Sequence, residues 1–229
     1  MRDRLAQLVD AREQALTEFL RREDERLALA CHALARSLAQ GGTLLAYGAG
    51  AAETDAAHVA VEFMHPVIVG KRALPALAPP NDVLALARAG DVALGISHRG
   101  AEPIDRFLAE CSRLGLLTLA LTGRGTASAD FAFTVEHDDP RIVQEVQETA
   151  YHVLWELVHV FFEHPGLLAD ACITCGDVAV EARVVAVEQN TATIEKDGAR
   201  EQVAVELVGP VAVGDLLLCH AGVALERVS

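Results

Sequence analysis

The chain has 229 residues, enough for one large or two smaller domains, and 52% of them are hydrophobic. Its 19 lysines and arginines against 33 aspartates and glutamates give a formal net charge of −14. Without a basic cluster to neutralise phosphates, this balance argues against direct nucleic-acid binding. There is no run of eighteen apolar residues, and the first residues form a charged amphipathic segment rather than a signal peptide, so we expect no membrane span and a cytoplasmic location.

Apolar residues at helical spacing predict two helices between residues 3 and 39, and two glycines at 41–42 end the second. So much apolar helix face ahead of the first strand suggests burial against another copy of the chain. A short apolar strand follows over residues 44–47. Gly48 and Gly50 then predict a sharp turn into a helix that runs to about His65.

Strands and helices alternate from there to residue 163. An irregular stretch at 67–78 and a turn at 79–82 come first, and further strands are predicted at 91–96, 117–121 and 131–135, with long helices at 102–114 and 141–163. This alternation predicts an α/β fold with a doubly wound parallel sheet. Ligands of such sheets bind at the carboxyl ends of strands, where the glycine turn and the loop Ser97 to Gly100 both fall.

The pattern changes after residue 165 to short strands of alternating hydrophobicity, predicted at 178–186, 192–195, 202–207 and 215–219. We therefore divide the chain into an α/β domain (1–165), a linker (166–171) and a small OB-like β-barrel (172–229). A barrel of this size has a thin core and often depends on a partner.

His58 and Glu62 stand four residues apart on the first long helix after a strand, so they share one face. An imidazole and a carboxylate placed in this way can meet one metal ion or one substrate. The spacing alone favours the alternative, which is a buried hydrogen bond between them or a solvated helix face.

The five cysteines are an odd number in a chain without an export signal, which argues against a disulfide framework. Cys31, Cys111 and Cys219 lie in apolar periodic segments and are predicted to be core residues. Cys172 and Cys175 have the spacing of a redox or metal-binding pair, although the sequence has no second pair to complete a zinc site, and plain linker cysteines are the alternative.

Four segments of the α/β part resemble phosphoheptose isomerases, the sugar-isomerase (SIS) domain enzymes that convert sedoheptulose 7-phosphate to a heptose phosphate. They are GAGAAETDAAHVAVEF (48–63), GISHRG (95–100), LTLALTG (117–123) and RIVQE (141–145), the last followed by Tyr151-His152. The resemblance extends from residue 1 to about residue 163. It implies a homotetramer or homodimer with its site assembled between subunits.

The same resemblance implies roles for individual residues. Glu62 would be the catalytic base and His152 the acid or base that move a proton between adjacent sugar carbons. Zinc would be bound by His58, Glu62, Gln144 and His152. The sugar phosphate would be bound by the two loops, at Gly48, Gly50, Ala52, Ser97, His98, Arg99 and Gly100.

Both loops depart from the family pattern. Ala51 and Ala52 replace the usual glycine and serine, and His98, Arg99 and Glu102 stand where hydroxyl residues are usual. Each lost hydroxyl removes a hydrogen bond worth about 1.5–3 kcal/mol to a charged group. Arg99 can offset this loss as a guanidinium clamp on the phosphate, or it can form a surface ion pair with Glu102.

The carboxyl-terminal part resembles the HypC/HupF family of small [NiFe]-hydrogenase maturation chaperones, most closely in VGDLLLCHAGVALE (213–226). In that family an essential cysteine after the initiator methionine helps to carry an iron unit and to dock on hydrogenase maturation proteins or the hydrogenase large subunit. The candidates here, as ligands of iron or zinc, are Cys172 and Cys175, which are internal and lack the usual following Pro-Gly. His220 is interpreted as a hydrogen-bonding residue of the barrel.

Three functions are therefore open. The first is an accessory hydrogenase maturation protein whose SIS domain binds a sugar-phosphate-like ligand and zinc, while its barrel carries iron transiently. The second is a phosphoheptose isomerase or a related aldose-ketose isomerase. The third is a ligand-sensing scaffold without turnover.

Overall fold

The computed structural model describes residues 2–78, 83–164, 168, 179–196, 198–220 and 222–228. The chain divides into two compact units, each built from two segments. The first unit contains residues 1–24 and 36–156, and the second contains residues 25–35 and 157–229. Cys172 and Cys175, the linker 166–171 and the turn at 79–82 lie largely or wholly outside the described residues, so the predictions made for them stay predictions.

The first helix, α1, is continuous over Arg2–Ala39, so the prediction of two helices in this region was wrong. A charged segment at residues 21–26 separates the apolar residues of the first half of α1 from those of the second half. Its arginines and glutamates are good helix formers, and it contains neither glycine nor proline, so nothing ends the helix there.

The first unit is organised on a parallel sheet of five strands in the order β2-β1-β3-β4-β5. The strands are β1 (Leu44–Gly48), β2 (Ala76–Leu77), β3 (Val92–Ser97), β4 (Leu117–Thr122) and β5 (Phe131–Thr134). The helices that follow α1 are α2 (Glu53–Met64), α3 (Val83–Leu86), α4 (Glu102–Arg113) and α5 (Pro140–Glu163). The predicted α/β fold is confirmed, and only β2 was missed, because two residues are too few to show a strand pattern.

The order of the strands reverses between β1 and β3. The chain leaves β1 towards β2 on one side, whereas β3 pairs with β1 on its other side, with Gly48 opposite Ile96. At such a switch point the loops that leave the two strands diverge and open a crevice. The glycine turn after β1 and the loop after β3 therefore lie on either side of this crevice, at one end of the sheet.

Close packing of α4 fixes the face of the sheet below that crevice. Ile104, Leu108 and Cys111 are fully buried against residues of β1, β3 and β4. A side chain at Gly95 would bring its Cβ to 3.1 Å from Ile104 Cδ1, so the absence of a side chain lets α4 lie directly on β3. None of the helices described is long and apolar enough to span a membrane.

The second unit contains a closed barrel with the strand order β10-β8-β7-β6-β9. Its strands are β6 (Val180–Glu188), β7 (Thr191–Lys196), β8 (Ala199–Ala204), β9 (Leu216–His220) and β10 (Val223–Val228). The predicted barrel is confirmed. The strand β10 was not predicted, because Gly222, with a φ of 77°, turns the chain between two apolar runs that read as one.

Alternate residues of the barrel strands fill a small interior that contains Val184, Ile194, Val203, Leu217 and Cys219. Cys31, Cys111 and Cys219 are all buried in the core, as predicted. Burial raises the pKa of the Cys219 thiol to about 12, and the Glu201 carboxylate adds to the shift.

This shift predicts that the protein loses stability at alkaline pH. Above about pH 9 the thiol ionises in the unfolded chain but keeps its proton in the barrel, so the free energy of unfolding falls as the pH rises towards 12. One such group contributes up to about 1.4 kcal/mol per pH unit. Urea unfolding at pH 8.5 and 10.5 should therefore show a larger loss for the wild type than for Cys219→Ala, and equal losses would contradict the assignment.

Candidate functional site

The turn after β1 brings backbone, not side chains, to the crevice. A Cβ on Gly48 would lie 1.9 Å from the carbonyl oxygen of Ala52, so only glycine fits there. Gly50 adopts a left-handed φ of 61°, which also favours glycine. Ala52 is fully buried ahead of α2, so this predicted ligand position offers no side-chain donor.

The loop after β3 is held by neighbouring backbone and by α5. The carbonyl oxygen of Ser97 accepts hydrogen bonds from Gly123 N at 3.0 Å and from the buried Gln147 Nε2 at 2.9 Å. The Ser97 hydroxyl in turn accepts a hydrogen bond from Arg99 N at 3.3 Å. Ser97 therefore stabilises its own loop.

Arg99 is exposed beside this loop, and Gly100 is half-buried. Within the described ranges, no ion pair joins Arg99 to Glu102, so the alternative of a surface pair between them is not realised here. The guanidinium remains available to an anion at the carboxyl end of β3.

Asp55, which the sequence analysis missed, connects three elements of the site. Its carboxylate lies 3.0 Å from His98 Nε2 and accepts a bifurcated hydrogen bond from Gln144 Nε2, 3.3 Å from each oxygen. Asp55 is only 4% exposed, so these contacts replace water around a buried charge. Its place in the first turn of α2 gave it the appearance of an ordinary helix-terminal acid.

A second cluster surrounds His58, one turn further along α2. Its Nε2 lies 3.3 Å from Glu62 Oε1, which confirms that the two residues share a face. Its Nδ1 lies 3.1 Å from the hydroxyl of Tyr151 and 3.6 Å from Glu148 Oε1. The His152 ring packs edge-on against the His58 ring, with centroids 5.1 Å apart.

Three side chains in this cluster converge as metal ligands could. One donor atom each from His58, Glu148 and His152 lies within 4.8 Å of the other two. Two imidazoles and a carboxylate are donors that zinc accepts in catalytic sites. Of the four ligands implied by the resemblance, His58 and His152 belong to this group, whereas Glu62 contacts the other nitrogen of His58 and Gln144 contacts Asp55.

The raised pKa of Tyr151 indicates a negative electrostatic potential in this cluster. Burial raises the pKa of its phenol well above the usual value, and the carboxylates of Glu148, Asp55 and Glu62 raise it further. The phenol therefore stays neutral, in a site where three carboxylates produce a negative potential. Such a site favours cations.

Comparison with known proteins defines the class of both parts. Residues 7–89 match the family model of the SIS domain, and residues 178–229 match that of the HupF/HypC family. The chain is 35% identical over 162 residues to a phosphoheptose isomerase of Desulfovibrio desulfuricans, covering 59% of this chain and 77% of the relative. A phosphoheptose isomerase of Solidesulfovibrio magneticus is 32% identical over 184 residues, covering 69% of this chain and 90% of the relative.

The chain thus belongs to the phosphoheptose isomerase family of SIS-domain proteins and carries a HupF/HypC domain in addition. The structure of a phosphoheptose isomerase from Francisella tularensis superposes with a TM-score of 0.61 at 23% identity, covering 69% of this chain and 97% of that one. This likeness supports the fold. The suspected resemblances of both parts of the chain are confirmed.

The role of Asp55 predicts a large effect of its removal. Asp55→Ala leaves His98 and Gln144 without their common acceptor, and we expect it to lower the free energy of unfolding by about 2–4 kcal/mol. Glu53→Ala, an exposed acid in the same helical turn, is the matched control and should cost less than about 1 kcal/mol. Urea unfolding of both variants measures the difference, and similar losses would contradict a bridging role for Asp55.

Proposed function

We propose that the protein is an accessory [NiFe]-hydrogenase maturation factor whose SIS domain binds a sugar-phosphate-like ligand. The observation that carries the proposal is the HupF/HypC domain, which forms a closed barrel in the same chain as an SIS domain. A maturation chaperone has no evident use in a heptose pathway. The fusion therefore supports a role of the α/β unit in hydrogenase assembly, which we propose takes place in the cytoplasm.

In this proposal the barrel docks on the hydrogenase large subunit or on other maturation proteins. Cys172 and Cys175 precede the first barrel strand in the sequence, and their thiolates are soft, strong ligands for low-spin iron. They would hold the iron as cargo during transfer, whereas a zinc ion there would instead stabilise the segment.

The α/β unit supplies a ligand site and a surface for assembly. The resemblance implies that His58, Glu62, Gln144 and His152 would hold zinc, and the loops after β1 and β3 would receive the anionic end of the ligand. Bound zinc would polarise a carbonyl or hydroxyl oxygen of that ligand. The apolar side chains Leu5 and Val9 are 63% and 42% exposed near the start of α1, and we propose that a homodimer or homotetramer buries them.

The role of the cysteine pair is tested in the organism that produces the protein. We expect a strain carrying only Cys172→Ser/Cys175→Ser to lose at least tenfold in [NiFe]-hydrogenase activity, because serine is a poor ligand for iron. Cys111→Ala, which alters a buried cysteine of α4, is the control and should keep near-normal activity at equal protein level. Unchanged activity in the double variant would refute iron transfer by this pair.

Isomerisation of a sugar phosphate is the second candidate function. It is favoured by the 35% identity to a phosphoheptose isomerase and by the presence of Glu62 and His152 at the positions of its base and acid. Against it stand the loops, where Ala52 offers no hydroxyl, although the Ser97 hydroxyl, which accepts a hydrogen bond from Arg99 N, can still donate its proton. A scaffold that binds the ligand without turnover fits the same loops.

We accordingly expect weak or no conversion of sedoheptulose 7-phosphate by the full chain, because the phosphate has lost hydroxyl donors. The product heptose phosphate is measured by chromatography, with zinc present and absent, beside Glu62→Gln. Robust turnover that Glu62→Gln abolishes would establish the isomerase instead. Saturable binding of the sugar phosphate without product would favour the scaffold.

A further inference from the structure

We propose that Glu148, rather than Gln144, is the residue of α5 that joins His58 and His152 in binding a divalent transition-metal ion. Glu62 then acts from outside the coordination sphere, as the hydrogen-bond partner of His58. This inference deepens the metal site of the proposed function and rests on it. It differs from the ligand set implied by the resemblance in two of the four residues.

The position of Glu148 on α5 is the first argument. Gln144, Glu148 and His152 follow each other at intervals of four and form one stripe on the helix. The outer two are about 12 Å apart along the axis, at 1.5 Å per residue. Glu148 lies between them, one turn from His152, and its carboxylate belongs to the group of converging donor atoms.

The distance between donor atoms is the second argument. His58 Nδ1 and Glu148 Oε1 are 3.6 Å apart. Two ligand atoms bound to one zinc ion at about 2.1 Å in a tetrahedral site lie about 3.4 Å from each other. The pair is therefore near the separation that a shared ion requires.

Gln144 already has a role that involves no metal. Its amide nitrogen donates to both oxygens of the buried Asp55, at 3.3 Å each, and so satisfies a carboxyl group that is largely shielded from water. A neutral amide oxygen is also a weaker ligand than a carboxylate, and the carboxylate of Glu148 is nearer to the imidazoles along the stripe.

Glu62 completes the arrangement from the other side of the imidazole. When Nδ1 of His58 faces the ion, Nε2 carries the proton and donates it to Glu62 Oε1, 3.3 Å away. A carboxylate in this position fixes the tautomer and orientation of a metal-binding histidine. The hydroxyl of Tyr151, 3.1 Å from Nδ1, competes with the ion for that nitrogen, so Tyr151→Phe should not weaken metal binding.

Two metal ions serve as probes. Cobalt(II) is used because its visible spectrum reports nitrogen and oxygen ligands, and zinc binding is measured in competition with a chromophoric chelator. The wild-type full chain is compared with four variants. Glu148→Ala removes the proposed ligand, and the matched variant Gln144→Ala shortens another residue of the same helical stripe. Glu62→Gln and His58→Ala complete the set. We expect Glu148→Ala to weaken zinc binding at least thirtyfold and Gln144→Ala no more than threefold. Glu62→Gln should weaken it about tenfold, because the amide oxygen can still accept the hydrogen bond but lacks the charge of the outer carboxylate, and His58→Ala should abolish the cobalt spectrum.

Far-UV circular dichroism and thermal unfolding establish that each variant is folded. Loss of metal in Gln144→Ala with retention in Glu148→Ala would overturn the inference and leave the proposed function intact. Absence of binding by the wild type, or unaltered binding by His58→Ala, would remove the metal site from both. Hydrogenase activity of the cysteine variants would still decide the maturation role independently.

Discussion

A carboxylate buried in the first turn of a helix must be compensated by neighbouring groups, because water cannot reach it. Asp55 meets this requirement through His98, at the carboxyl end of β3, and through Gln144 on α5. One charge thus couples α2, the loop after β3 and the last helix of the first unit. His58 follows Asp55 by one turn on α2, and Glu148 follows Gln144 by one turn on α5, so the two clusters are neighbours along the same pair of helices.

Negative charge dominates the site that results. Three carboxylates act on Tyr151 and, together with burial, keep its phenol protonated. The same potential opposes a doubly charged phosphate and attracts a cation, so a bound metal ion and the guanidinium of Arg99 would be the groups that allow an anionic ligand to enter.

Packing within the second unit compensates for the small core of the barrel. Helical segments 25–35 and 157–163 belong to this unit, and their buried residues Cys31 and Phe161 line one apolar cleft with Ala204 and Val223 of the barrel. The sequence indicated a barrel with a thin core. It did not indicate that helical segments cover the barrel, because an apolar helix face does not show which surface it packs against. The continuity of α1 through residues 21–26 was also missed, although that segment contains neither glycine nor proline.

The sequence by itself determined the parallel α/β fold, the barrel, the three buried cysteines, and the shared face of His58 and Glu62. These features follow from local periodicity, from glycine turns and from motifs contiguous in the chain. Only the tertiary structure decided that Asp55 joins His98 and Gln144, and that Glu148 lies among the imidazoles. The contacts of Asp55 with His98 and Gln144, and that of Glu148 with His58, join residues at least 43 positions apart. Their geometry is set by how the helices pack on the sheet, which no local pattern encodes.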